Sequence, residues 1–187
     1  MSYKFPLATT TLGQEEQDAM HRVIASGLFT MGKNVLAFER DFANYVGSQH
    51  CVMVNSGSSA ILLMVAALFY TKNPKLKRGD ECLIPSLCWS TSLWPIIQAG
   101  LKPKFVDIDT ETLNISLKDL EKKITKKTKA IMGVHILGNS TNMDGLMALV
   151  KKNKLYLIED TCESLGSSFN KKYLGNFGDF GTFSFYY

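Results

Sequence analysis

The sequence is poor in the residues that build disulfides and metal sites. It has 4 cysteines and 3 histidines in 187 residues. The cysteines show no C-x-x-C spacing, and none lies near a histidine in a ligand pattern. We therefore interpret them as reduced, mostly buried thiols of a cytosolic protein. They are Cys51, Cys82, Cys88 and Cys162.

Long apolar runs are also missing. The longest, residues 60–70, is too short to span a bilayer, and residues 1–10 lack an apolar core of signal-peptide length. We expect a cytoplasmic protein that does not contact the membrane. The net charge of +4 comes mainly from lysines in residues 118–129. No aromatic residues alternate with these lysines, which indicates the solvated face of a helix and argues against a nucleic-acid partner.

The sequence does contain a regular alternation of predicted strands and helices. At 45% hydrophobic and 20% charged residues, it can bury one sizeable core. The alternation predicts an α/β fold with a mostly parallel sheet flanked by helices. We expect residues 1–13 to be extended and irregular, and residues 171–179 to form a Gly-rich polar turn. The predicted strands are 51–54, 81–85, 104–108, 130–134, 155–158 and 181–187, and the predicted helices are 14–26, 35–46, 60–70, 92–100, 117–124 and 143–150.

Two carboxylates, Glu159 and Asp160, directly follow the predicted strand 155–158, and Glu163 comes three residues after Asp160. They lie where a parallel strand ends, at the edge of the sheet where ligands of open α/β folds bind. A carboxylate there has lost much of its water and requires a cationic partner, such as a protonated ring nitrogen of a cofactor. The alternative is an Asp160 that only caps the next turn.

Two further stretches converge on the same edge. Residues 55–60, Asn-Ser-Gly-Ser-Ser-Ala, open a helix whose free amides attract an anion such as phosphate, although plain serine capping explains them too. They match neither GxGxxG nor GxxxxGK. Trp89 at a strand-to-helix junction stacks on a planar ligand or packs in the core. With Asp160, these features suit a flat, cationic, phosphorylated ring, as in pyridoxal 5′-phosphate (PLP). His135, at the end of another strand, is interpreted as hydrogen-bonded structure.

The motifs together resemble a known family, the DegT/StrS family of PLP-dependent sugar-nucleotide aminotransferases and dehydratases of fold type I. The resemblance covers essentially the whole chain, with the motifs in order at the family spacing. They are FTMGKNVLAFERDFANYVG (29–47), NSGSSA (55–60), GDECLIPSLCWSTSLWPIIQAG (79–100), KFVDID (104–109), VHILGN (134–139), MDG (143–145), IEDTCESLGS (158–167) and GDFGTFSFYY (178–187).

The resemblance implies roles for six residues. Gly57, Ser58 and Ser184 would hold the cofactor phosphate, Trp89 would stack on the ring and Asp160 would pair with the ring nitrogen. Glu163 would lie near the ring hydroxyl, where many aminotransferases of the family carry Gln.

The resemblance also bears on the reaction. Glu163, WSTSLWP, LGN and TFSFYY look closest to the sugar 3-dehydratase branch that makes colitose-type deoxysugars. This branch implies a nucleotide-linked 4-keto-6-deoxysugar as substrate, glutamate as amino donor, a homodimer and a role in surface polysaccharide synthesis. The sequence leaves aminotransferase and dehydratase open, as it does the identity of the sugar nucleotide.

The family's Schiff-base lysine, or the histidine that replaces it, would follow Tyr187. We therefore expect residues 1–187 to be the N-terminal part of the PLP-binding large domain, without the small C-terminal domain and without the residue that initiates the chemistry. Two alternatives stay open: a non-catalytic remnant that pairs with a homologous subunit, and a nucleotide-binding α/β module unrelated to PLP.

Overall fold

The computed structural model describes residues 12–72, 74 and 76–185. In this part of the chain, helices alternate with short strands. The helices are α1 (Gln14–Ser26), α2 (Lys33–Val46), α3 (Gly57–Ala67), α4 (Ser90–Gln98), α5 (Leu117–Lys123) and α6 (Met143–Asn153). The strands are β1 (Glu81–Pro85), β2 (Lys102–Val106), β3 (Thr128–Val134), β4 (Tyr156–Asp160), β5 (Ser168–Phe169), β6 (Lys172–Tyr173) and β7 (Phe180–Thr182).

Five of the described strands form a parallel sheet in the order β2-β1-β3-β4-β7. Helices α4, α5 and α6 are the crossovers between successive strands, so the carboxyl ends of the strands lie along one edge. The predicted α/β fold with a parallel sheet flanked by helices is confirmed.

The core consists of two apolar layers, one on each face of the sheet. Alternate strand residues point to opposite faces, so Leu157 packs in one layer while Tyr156 and Ile158 pack in the other. One layer includes the buried side of α3 and Ile96 of α4, and the other the buried sides of α5 and α6. Both faces are therefore covered, as continuous apolar strands require.

Local signals in the sequence explain where the helices begin and end. Gly27 and Gly47 terminate α1 and α2 in the left-handed conformation, with φ of 67° and 81°. Ser56 Oγ accepts a hydrogen bond from the Ser59 amide at 3.1 Å and caps α3. All six predicted helices are present, with boundaries shifted by at most a few residues.

The predicted buried strand at residues 51–54 is wrong. These residues form no strand, and Val52 and Met53 are 64% and 44% exposed. Met53 N donates to Glu39 Oε1 at 2.8 Å, which links the segment to α2. An apolar run becomes a strand only when a neighbouring strand pairs with its backbone, and none of the described strands lies beside this segment.

Other predictions differ in detail. The predicted strand 104–108 is observed two residues earlier, as β2, and Ile108 instead forms an isolated bridge with Ile115. The predicted strand 181–187 shortens to β7, and residues 186 and 187 lie outside the described part, as do residues 1–11. Of the four cysteines, only Cys82 is fully buried, which corrects the expectation of mostly buried thiols.

A small hairpin, β5–β6, lies around the start of the predicted Gly-rich turn. Asn170 and Lys171 connect its strands with φ of 49° and 65°. Two successive positive φ values define a type I′ turn, which suits the twist of a hairpin. Asn-Lys is a weaker hairpin signal than Asn-Gly, so the sequence pattern predicted a turn here but not the two strands that it joins. No helix in the described part of the chain is long and apolar enough to cross a membrane.

Candidate active site

Asp160 is the last residue of β4 and lies at the carboxyl edge of the sheet. Its side chain is only 4% exposed. Oδ2 accepts a hydrogen bond from Ser92 Oγ at 2.6 Å, and Oδ1 accepts one from the Cys162 amide at 3.1 Å. No basic side chain among the described residues forms an ion pair with it. Asp160 is thus a buried carboxylate oriented by two donors, and each oxygen retains a lone pair for a further partner.

Ser92 is a site residue that the sequence pattern missed. It is fully buried in the first turn of α4, three residues after Trp89. Its hydrogen bond ties α4 to the end of β4, across a sequence separation of 68 residues. A serine near a helix start normally suggests capping, and only the fold brings it to Asp160. The available signal was its position after β1, whose carboxyl end lies on the same edge.

Two cysteines lie near Asp160. Burial and, second, the charge of Asp160 raise the pKa of the Cys88 thiol above its ordinary value. The same two causes raise the pKa of the Cys162 thiol strongly. Both therefore remain neutral at physiological pH and are unsuited to act as nucleophiles.

The start of α3 lies directly beside Ser184 and Cys162. A Cβ atom on Gly57 would be 3.0 Å from Ser184 Cβ and 2.9 Å from Cys162 Sγ, so only glycine allows this approach. Ser58, the next residue, is exposed. No described residue accepts a hydrogen bond from the amides of Gly57 and Ser58. Together with Ser184, this helix start can bind an anion.

Trp89 is the residue before α4 and lies near the same edge. Its side chain is 67% exposed, so it is not a core residue. The alternative interpretation, that this tryptophan packs in the core, is therefore wrong. The Trp89 ring is exposed and precedes the helical turn whose Ser92 binds Asp160. It is therefore available to cover a planar ligand.

Glu163 is exposed and is held by the turn that follows β3. Its Oε2 accepts a hydrogen bond from the Leu137 amide at 3.0 Å. Leu137 has φ of 52° and is 77% exposed, although leucine rarely adopts the left-handed conformation. Backbone strain of this kind is concentrated at functional sites. The turn therefore fixes one oxygen of Glu163, and no described hydrogen bond uses the other.

Glu159, the residue before Asp160, organises the support of the site. It is completely buried. Its Oε1 accepts hydrogen bonds from the amides of Phe177 and Gly178, both at 2.7 Å, and its Oε2 accepts one from Gly175 at 3.0 Å. Four donors converge on this carboxylate when His135 is included, so its burial is compensated. Sequence reasoning treated Glu159 only as a strand-end carboxylate and missed this function.

His135 is confirmed as hydrogen-bonded structure. Its Nε2 lies 3.2 Å from Glu159 Oε2, and its Nδ1 accepts a hydrogen bond from the Thr141 amide at 3.5 Å. With Nδ1 as the acceptor, Nε2 carries a proton and donates it to Glu159. The pair is fully buried, which excludes it from direct contact with a ligand at the edge.

The structure thus brings the predicted residues into two contacts at one edge. Asp160 is linked to the start of α4 through Ser92, and Gly57 lies against Ser184. Glu163 is held separately by the turn after β3. An anion-binding helix start and a buried carboxylate can bind a ligand that carries a phosphate and a cationic nitrogen. No group of His, Cys, Asp and Glu in the described residues could hold a metal ion.

Comparison with known proteins gives the family. Residues 10–187 match the DegT/DnrJ/EryC1/StrS aminotransferase family. The chain belongs to this family. The match excludes the alternative of a nucleotide-binding module unrelated to PLP enzymes, and it confirms the resemblance seen in the motifs.

Individual members of the family are similar over nearly the whole chain. A GDP-4-keto-6-deoxy-D-mannose 3-dehydratase from Yersinia pseudotuberculosis is 49% identical over 98% of this chain and 47% of its own length. A GDP-perosamine synthase from Vibrio cholerae is 37% identical over 97% of this chain and 48% of its own length. The chain therefore spans about half the length of the curated relatives it matches.

A solved structure shows the same fold. A GDP-4-keto-6-deoxymannose-3-dehydratase with a trapped PLP-glutamate geminal diamine superimposes with a TM-score of 0.92 at 48% identity. The superposition covers 96% of this chain and 47% of that one. This similarity confirms that the parallel sheet and its helices form the fold of a PLP-dependent family.

Proposed function

We propose that the carboxyl edge of the sheet binds PLP, and that the protein acts as a PLP-dependent 3-dehydratase on a nucleotide-linked 4-keto-6-deoxysugar. The observation that carries the proposal is Asp160, a carboxylate 4% exposed, oriented by Ser92 and the Cys162 amide and without a basic partner in the described residues. Such a group is suited to hold a protonated ring nitrogen. The relatives that share the family motifs support this assignment.

Each residue proposed to bind the cofactor has a physical task. Gly57 and Ser58 offer the free amides of α3 to the phosphate, and Ser184, beside Gly57, adds a hydroxyl. Trp89 covers a ring face and excludes water from it. Glu163, fixed by the Leu137 amide, keeps one oxygen for the ring hydroxyl.

Asp160 controls the chemistry at this site. With its ring nitrogen protonated, PLP acts as an electron sink and withdraws electrons from bonds at the substrate carbon that is joined to the cofactor. The Asp160 carboxylate keeps the proton on that nitrogen, and Ser92 and the Cys162 amide keep the carboxylate in place. We propose that the lysine or histidine that initiates the chemistry comes from the protein beyond residues 1–187, which would make these residues the N-terminal part of the cofactor-binding large domain.

The relatives support a proposal for the substrate. GDP-4-keto-6-deoxy-D-mannose, named for the 49% identical relative, is the proposed substrate, with glutamate as the amino donor, in the synthesis of a surface polysaccharide. Glu163, where many aminotransferases of the family carry Gln, favours dehydration over amino transfer. The 37% identity to a GDP-perosamine synthase makes amino transfer the second candidate.

The experiment uses the protein in the longest form that its gene encodes. It is mixed with PLP, glutamate and GDP-4-keto-6-deoxy-D-mannose, and the sugar product is analysed by mass spectrometry. We expect a deoxysugar without nitrogen. A product that retains nitrogen would identify an aminotransferase, and a protein that binds PLP without turnover would indicate a non-catalytic subunit.

We also propose that the protein forms a homodimer. Helix α1 has no buried residue, and its Met20 and Ile24 are 49% and 61% exposed. Phe29, which follows α1 in the sequence, is 70% exposed. Exposed apolar surface of this kind is typical of an interface. Light scattering after size-exclusion chromatography measures the mass, and a monomer at all concentrations would contradict the dimer.

A further inference from the structure

Ser184 lies outside the regular sheet. Strand β7 ends at Thr182, and residues 183–185 form no helix or strand. Ser184 nevertheless lies close to the start of α3, since a Cβ on Gly57 would be 3.0 Å from Ser184 Cβ. The side chains on either side of Ser184 show how α2 contributes to this position.

The two residues that flank Ser184 are both aromatic, and both contact the same ring. Phe183 and Phe185 meet Phe42 of α2 edge to face, with ring centroids 5.1 Å and 5.6 Å apart and interplanar angles of 76° and 73°. Phe38, one turn earlier in α2, also meets Phe185, at 5.4 Å. Edge-to-face pairs at these separations are favourable beyond the area they bury.

Phe183 and Phe185 both contact Phe42 of α2. The serine between them instead lies against Gly57, since a Cβ on this glycine would be 3.0 Å from Ser184 Cβ and 3.3 Å from Ser184 Oγ. The segment therefore contacts α2 through its two phenylalanines and the start of α3 through its serine.

Helix α2 is itself fixed, so it can serve as the reference for this segment. Ala43 and Val46 are buried, and the Val46 carbonyl accepts a hydrogen bond from Asn176 Nδ2. Glu39 accepts a hydrogen bond from the Met53 amide at 2.8 Å. A displacement of the Phe42 ring would therefore move the segment that carries Ser184 and leave α2 in place.

We propose that Phe42 is a positioning residue for the cofactor phosphate. By holding Phe183 and Phe185, its ring places Ser184 beside the start of α3, where the phosphate would bind. This inference rests on the proposed function, in which Ser184 is a phosphate ligand.

The test compares affinities for PLP and for pyridoxal, which lacks the phosphate. The variants are Phe42→Leu, Ser184→Ala and the two combined, in the longest form of the protein that its gene encodes. Tyr173→Leu is the matched control, because it removes a ring stacked at 5.3 Å on Tyr45 of the same helix without touching Phe183 or Phe185. The readout is the ratio of the two dissociation constants.

We expect Ser184→Ala to lower the affinity for PLP about tenfold to a hundredfold, which corresponds to the loss of a hydrogen bond to a charged group. The affinity for pyridoxal should not change. Phe42→Leu should lower the preference for PLP about threefold to tenfold, because it displaces the same hydrogen bond without removing it. It should have no further effect in the Ser184→Ala background, since residues that act through one contact are not additive. Tyr173→Leu should leave the ratio unchanged, and Phe42→Tyr should retain it.

Each other outcome is decisive. A wild type that binds PLP no more tightly than pyridoxal would contradict the proposed phosphate site itself. Three outcomes would overturn the positioning role alone, provided that the wild type prefers PLP. In the first, Phe42→Leu keeps the wild-type ratio of dissociation constants, and in the second it weakens the binding of PLP and pyridoxal equally. In the third, the effect of Phe42→Leu on PLP affinity adds to that of Ser184→Ala. Should Phe42→Leu fail to fold, Phe185→Leu gives the same readout, because this ring is 53% exposed and its loss is better tolerated.

Discussion

Ser92 donates a hydrogen bond from Oγ to Oδ2 of Asp160 across 2.6 Å, and both side chains are buried. This bond joins the first turn of α4 to the carboxyl end of β4, two elements far apart in sequence. It also fixes the carboxylate before any ligand arrives. Preorganisation of this kind lowers the cost of binding, because the group need not reorient when its partner binds.

Replacing Ser92 with alanine should destabilise the fold. The buried Asp160 carboxylate would lose one of its two described donors, which costs about 1.5–3 kcal/mol for a charged group. Ser90→Ala is the matched control in the same helix, since Ser90 is exposed and its hydroxyl makes no hydrogen bond with a described residue. We expect its free energy of unfolding to change by less than about 0.5 kcal/mol. Urea denaturation compares the two, and equal stabilities would show that the Ser92 bond contributes nothing.

The Glu159→Gln variant should be destabilised more severely. The amide of glutamine has one acceptor oxygen, so it cannot replace a carboxylate that accepts from three backbone amides and His135. Leaving two buried donors unsatisfied should cost about 3 kcal/mol or more. Glu121→Gln removes the same charge from an exposed pair with Lys152 and should cost under about 1 kcal/mol. Thermal unfolding of both variants tests this, and similar melting temperatures would refute the role of Glu159.

Gly57→Ala should impair cofactor binding through its two close neighbours. The added Cβ would be 2.9 Å from Cys162 Sγ and 3.0 Å from Ser184 Cβ, so one of them must move. We expect a loss of stability of about 1–3 kcal/mol and a loss of PLP affinity of about tenfold. Gly133→Ala is the control, because its Cβ would make only an ordinary contact at 3.6 Å with Leu157 Cδ1. Equal affinities of the two variants for PLP would contradict the claim that the contacts of Gly57 with Ser184 and Cys162 matter for cofactor binding.

The cysteines give a test that depends on pH. Asp160 raises the pKa of the Cys88 and Cys162 thiols, second to burial, so the thiolate forms only at alkaline pH. The Asp160→Asn variant removes the negative charge, which should lower both pKa values and shift alkylation of both thiols to lower pH. Cys51 is the internal control, because burial and Glu39 raise its pKa instead. Alkylation measured by peptide mass spectrometry across pH should show a shift for Cys88 and Cys162 alone, and a shift of Cys51 by the same amount would show a general loosening of the fold.

The fold followed from sequence where local signals and tertiary context agreed. Gly27 and Gly47 end helices because their left-handed conformation suits glycine. The segment 51–54 has the apolar composition of a strand, yet no described strand lies beside it. Composition predicts burial only when a partner is present, and sequence alone does not say where that partner lies.

Some residues of the site could be predicted from the sequence and others could not. Asp160 could be found because a carboxylate directly after a buried apolar strand is unusual and costly. Ser92, Leu137 and Phe42 could not, since each acts through a neighbour that is distant in sequence. Serine in a first helical turn and phenylalanine at helical spacing are ordinary patterns, and only the fold shows what they contact.

The central claim is that Asp160 holds a proton on the ring nitrogen of bound PLP. The most direct measurement is the ¹⁵N chemical shift of PLP labelled at that nitrogen and bound to the longest form of the protein that its gene encodes. We expect the shift of a protonated pyridine in the wild type and that of an unprotonated one in Asp160→Asn, with Asp144→Asn, on an exposed carboxylate, as the control that retains the wild-type shift. An unprotonated ring nitrogen in the wild type, or a protonated one that persists in Asp160→Asn, would contradict the role of Asp160.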